Sequence, residues 1–152
     1  MSFYNYIRWI KNVKRENGND WAYYASTENS QFLLAFSPDH AAGARKPEQG
    51  DFIILFQTIE NESIAKAGTY LTHIVEVSSD SPEPTNQPHY PIGRLVRVIA
   101  RVNPATVLKS SVINMNFQHV SSGQLCKIEH FNPSESCDIN KRRLIKLLFP
   151  YF

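Results

Sequence analysis

The chain has only two cysteines, Cys126 and Cys137, among 152 residues. That is too few for a disulfide scaffold. No apolar run approaches the length of a membrane span. The first residues are polar and aromatic rather than a secretory segment. The expected setting is therefore cytoplasmic, with reduced thiols and no membrane partner. G-x-G-x-x-G, Walker and G-x-S-x-G patterns are all missing, which excludes the usual phosphate-cradling nucleotide sites and a serine-hydrolase nucleophile. Charge of either sign is modest: 16 Lys and Arg face 14 Asp and Glu, a net +2. This is weaker than the basic footprint of a purely electrostatic nucleic-acid binder. At 42% hydrophobic and 20% charged residues the chain is ordinary for a folded protein, and its length suits one domain with one core over residues 1–152.

Aromatic residues are what the chain has in plenty, nine Phe and seven Tyr. Rings at this density either fill a small core or form a stacking surface. Phe3, Tyr6, Ile7, Ile10 and Val13 or Lys14 recur at three- and four-residue steps, which predicts an amphipathic helix over about residues 2–15. Trp21 to Ala25 reads as a short aromatic strand after the Asn17-Gly18 turn. Ser26 or Thr27, with Asn29 or Ser30 as alternatives, would cap a second helix whose apolar face is Phe32, Leu33 and Phe36 and which ends before Pro38. Residues 40–49 read as a loop with a basic centre, Arg45-Lys46.

Phe52 to Phe56 is a continuous apolar run, the mark of a strand buried on both faces. Gly68 to Val77 alternates as a second strand. Four prolines between Ser78 and Pro91 make that stretch a long loop, and long loops in compact domains often carry function. Gly93 to Val102 alternates arginine with aliphatics as a third strand, with a short connection after Pro104. Residues 140–149 read as a closing helix. This order predicts an α+β protein: a mostly β curved sheet or small barrel flanked by helices.

Catalytic and metal constellations are thin. Cys126, His130 and Cys137 have a spacing that matches no common zinc pattern. Asp51, Glu76 and Asp80 sit at strand ends, where carboxylates ordinarily face solvent. No catalytic set, metal or cofactor is expected, and the chain reads as non-enzymatic. Better supported is an aromatic pocket. Trp21, Tyr23 and Tyr24 precede the Ser-Thr turn, and Tyr90 ends the proline loop. Rings from the two segments could hold one base, with Ser26 or Asn29 reading its edge.

Tyr24-Ala25-Ser26-Thr27-Glu28-Asn29 followed by Leu33-Leu34-Ala35-Phe36 resembles the start of YTH domains. Phe52 to Phe56, Gly68 to Val77, and Gly93-Arg94-Leu95-Val96-Arg97-Val98 leading to Val102-Asn103-Pro104 resemble the strands that follow there, in the same order. The Gly50-Asp51 turn is equally similar to EVE domains of the same PUA-like superfamily. The resemblance covers about residues 21–115 and implies a PUA-like fold around a small β barrel. It implies binding of a nucleic acid whose modified base, methylated adenine or a modified cytosine, is flipped into an aromatic cage. Such domains front McrBC-type modification-dependent restriction systems, so modified DNA is expected over RNA, alongside a nuclease or AAA+ motor as partner. By position, Tyr24 matches the first cage aromatic, Tyr90 or Pro91 the second, and Ser26 and Asn29 the polar base contacts. Trp21 or Tyr70 would supply a flanking ring, because both cage tryptophans are replaced or missing. Arg45, Lys46, Arg94 and Arg97 are the expected backbone contacts. An RNA-binding PUA-like module and a non-catalytic protein-interaction domain are the alternatives.

Overall fold

The computed structural model describes residues 7–13, 22–23, 29–59, 68–107 and 123–128. Seven strands and one 3₁₀ helix make up these residues: β1 (Ile7–Asn12), β2 (Gln31–Phe36), the 3₁₀ helix (Pro38–Arg45), β3 (Phe52–Ile59), β4 (Gly68–Val77), β5 (Glu83–Pro84), β6 (Ile92–Val107) and β7 (Leu125–Lys127). They form one sheet in the order β2-β6-β4-β3-β1-β7, with β5 paired to β6. All pairings are antiparallel except β1 with β3. The sheet curls into a half-barrel.

The curl closes on the 3₁₀ helix, which packs against β2, β6 and β7. Gly43 faces both Leu125 and the Phe36 ring, so the helix bridges the two edges of the sheet. The inner face carries Trp9, Ile53, Leu55, Val75, Val77, Val96, Val98, Leu34 and Phe36 as one cluster with Ala44 and Leu125. Residues two apart on a strand share a face. Lys11, between Trp9 and Val13, and Arg94, two before Val96, therefore point into the same interior.

The strands expected from apolar runs are present. β3 continues to Ile59, β4 has the expected bounds, and β6 runs through Pro104 to Val107 rather than stopping at a connection. The two helices expected early in the chain are corrected where they are described. Residues 7–12 form β1, held between β3 and β7. Residues 31–36 form β2, whose register runs from Gln31 opposite Arg97 to Phe36 opposite Ile92. β1, flanked on both sides and buried along most of its length, needs no polar alternation, and the edge strand β2 is buried only toward Phe36, so the helical spacing of their apolar residues was coincidental. Pro38 ends β2 and starts the 3₁₀ helix at its first turn, where a basic loop was expected. The expected hairpin link keeps Gln57–Ile59 in β3, and its residues 60–67 lie outside the described residues. So does the expected closing helix, 140–149.

The 78–91 loop is pinned to the sheet at β5. A Cβ on Gly93 would stand 2.7 Å from Thr85 Cγ2, so only glycine admits this approach. The Thr85 backbone N–H donates to Pro91 O (2.9 Å), and its hydroxyl donates to Tyr90 O. Tyr90 is thereby set at the mouth of the half-barrel.

A candidate binding pocket at the tyrosine pair

Tyr23 and Tyr90 line one pocket with Lys11, Val13, Ala35 and Gly123. The sequence places these residues far apart; the curl of the sheet brings them together. Tyr23 holds a left-handed backbone conformation, φ 60°, which is uncommon for an aromatic residue. Two contacts offset that cost. Its ring stacks on Phe32, with centroids 4.3 Å apart, and its hydroxyl accepts the Ala35 N–H at 2.9 Å. The preceding residue is fixed as well, because Ala22 N–H donates to Gln57 Oε1 at 2.9 Å. Burial pushes the Tyr23 phenol up to about 12, and neighbouring Tyr90 adds to the rise. Tyr90 is half-buried.

Lys11 is the charged wall of the pocket and is only 1% exposed. Its ammonium donates to Gly123 O and lies 4.1 Å from the centroid of the Phe36 ring, a cation–π distance. Gly123 reaches this place with φ +84°, and its own N–H donates to Asn12 O at 2.8 Å. Burial alone lowers the Lys11 pKa to about 7. The cavity these walls enclose is small, about 10 Å³, room for about one water molecule.

The other expected site residues go elsewhere. Asn29 has φ 66°, and its side-chain oxygen accepts from Arg97 at 3.2 Å. Arg97 also donates to Glu76 at 2.9 Å. Arg97 and Glu76 alternate with core residues of β6 and β4, so this trio lies on the outer face, away from the tyrosines. Tyr70 is buried in β4 opposite Gln57 and forms no wall of the pocket. Arg94 is no surface contact either. At 1% exposure it donates to Ala44 O (2.9 Å) and Ser79 O (2.8 Å), tying the 3₁₀ helix to the 78–91 loop. Arg45 and Lys46 are exposed, as expected of backbone contacts. Trp21, Tyr24 and Ser26 lie outside the described residues.

Lys11 is the pocket residue that sequence reading missed. Its place between Ile10 and Val13 in an apolar stretch was the available signal. Phe32 and Phe36 were read as a helix face and instead support the two polar walls. Among the described residues, no group of three His, Cys, Asp or Glu side chains is placed to hold a metal ion. Asp51 accepts from Trp9 Nε1 and Glu48 N–H, both at 2.9 Å, and Glu76 is engaged by Arg97. His130 and Cys137 lie outside the described residues. No described helix is long and apolar enough to cross a membrane. No family model matches the chain, and no curated protein matches it.

Proposed function

We propose that this chain is a non-catalytic nucleic-acid-binding module that receives a single extruded base between Tyr23 and Tyr90. The observation that supports this reading is the convergence of two tyrosines, from widely separated segments, on one pocket inside a curled sheet. A base is far larger than the present cavity, so Tyr90 swings outward to admit it. Tyr23 is the fixed wall, held by Phe32 and Ala35. Tyr90 is the movable one, since its side chain makes no hydrogen bond among the described residues. Stacking supplies roughly 1–3 kcal/mol per base, which offsets part of the few kcal/mol that extrusion costs.

Phosphate contacts fall to exposed cations on the β7 side, where Gly123 walls the pocket. Lys46 acts on the Cys126 thiol of β7, Lys127 is exposed on the same strand, and Arg45 adjoins Lys46. Modified DNA is the preferred ligand in this reading. Cleavage or translocation would come from a partner nuclease or AAA+ motor.

Titrating the protein with duplexes carrying N6-methyladenine, 5-methylcytosine or 5-hydroxymethylcytosine, with unmodified duplex and with RNA of the same sequence, tests the proposal. One modified duplex should bind tightest, and Tyr90→Ala should weaken it about tenfold, the loss of one stacking contact. Equal affinity for every nucleic acid, unchanged by Tyr23→Ala and Tyr90→Ala, would overturn it.

A further inference from the structure

We infer that Lys11 makes the pocket selective for an occupant presenting a carbonyl oxygen, so that bases with a keto group are held in preference to adenine. This rests on the base-binding reading above.

An ammonium has three N–H donors and no acceptor. One Lys11 donor goes to Gly123 O, and the charge faces the Phe36 ring on another side. Among the described residues the pocket supplies nothing more for it: Val13 and Ala35 are apolar, and the Tyr23 hydroxyl already accepts the Ala35 N–H. No carboxylate among the described residues offsets the burial of Lys11. A buried cation with a donor to spare is costly until something accepts from it, and an occupant of the cavity is the group placed to do so. A carbonyl oxygen offers two unhindered lone pairs. In adenine, N1 and N7 both flank an amino group whose hydrogens repel an ammonium, and N3 lies on the edge that carries the sugar. Guanine, cytosine, thymine and uracil each carry a carbonyl oxygen.

Proton uptake accompanies such binding. With the free amine at about 7, a carbonyl partner favours the charged form and raises that value in the complex. Affinity therefore falls as pH rises past the free value. The residues beside Lys11 on β3 and β7 are Leu55 and Leu125, neither of them titratable. Among the described residues the titratable groups on the surrounding elements are Tyr23, Tyr90, Cys126 and His40, whose ring lies against Gly123.

Duplexes with one unpaired central nucleotide, adenine, cytosine, thymine or guanine, provide the probe, read by fluorescence anisotropy. At about pH 6 the three keto bases should bind about tenfold tighter than adenine, the size of one good base contact. The preference should shrink at about pH 8.5, where most of the free amine is neutral. Lys11→Met should lower keto-base affinity to the adenine level and remove the pH dependence, and His40→Asn should leave both in place. Methionine keeps the volume and removes a buried charge, so a thermal melt should show this variant folded. Tyrosine-dependent binding that is equal for adenine and the keto bases, or a keto preference that survives Lys11→Met, overturns this inference alone. Binding insensitive to both tyrosines in every duplex overturns the base-binding reading and the inference with it.

Discussion

Among the described residues, two cations are buried inside the half-barrel, one on each side. Arg94 on β6 and Lys11 on β1 are both 1% exposed, yet their surroundings differ. Arg94 has its planar fork spread over two backbone carbonyls, from Ala44 and Ser79, and Asp80 and Asp51 lie close enough to favour its charge against the desolvation that lowers its pKa. Lys11 has one carbonyl and a ring face, with no carboxylate among the described residues to offset its burial. A guanidinium with three hydrogen bonds to two fixed carbonyls and carboxylates nearby acts as a staple. An ammonium left with a spare donor beside a cavity is a group waiting for a ligand. Burial and charge alike do not separate these roles; a second carbonyl and the carboxylates beside Arg94 do.

Replacing the two in turn should give opposite signs. Arg94→Met strands the carbonyls of Ala44 and Ser79 and should cost about 3 kcal/mol or more by denaturant unfolding. Arg94→Lys should recover only part, since one ammonium cannot span both acceptors in the same geometry. An Arg94→Met protein as stable as the parent would erase the contrast. Lys11→Met should instead stabilise the fold at neutral pH, by about 2–4 kcal/mol.

The pH dependence sharpens the same point. The folded Lys11 value, about 7, lies below the ordinary 10.5. Between them the unfolded chain binds more protons, so stability should rise with pH from about 7 toward 10.5. Lys11→Met should flatten that rise.

Gly93→Ala sets a Cβ against Thr85 at 2.7 Å and loosens the loop on which both regions lean, through Ser79 at one and Tyr90 at the other. It should cost roughly 1–3 kcal/mol and weaken base binding. The smallest effect belongs to Tyr23→Phe, which loses the hydrogen bond from Ala35 and about 1 kcal/mol. The folded phenol value is raised, to about 12 from 10.0, so the parent should lose stability as pH climbs through that interval. Tyr23→Phe should not.

Legibility in the sequence followed the covering of each strand. Phe52 to Phe56 and Gly68 to Val77 announce strands, because β-favouring residues run without a break or alternate cleanly. Ile7–Asn12 and Gln31–Phe36 did not. β1 is buried along nearly its whole length and β2 toward its Phe36 end, so their apolar spacing carried no period of two and was open to a helical reading. The tyrosine pair was legible in part: Tyr23 and Tyr90 were both expected at the site, and both line the pocket. Asn29 was expected there too and Arg94 as a backbone contact, and their neighbours drew them elsewhere, Asn29 to Arg97 and Arg94 to two carbonyls.

Local chemistry written in the chain settled that the segment before Pro38 stops there, that Phe52 to Phe56 and Gly68 to Val77 are strands, and that aromatic rings are plentiful. The direction each polar side chain takes was decided by tertiary structure alone. The inside of a curled sheet is defined only once its edges meet across the 3₁₀ helix, and whether Lys11 or Arg97 faces that interior depends on strand parity and register. Pairing partners distant in sequence fix both, and no local pattern encodes them.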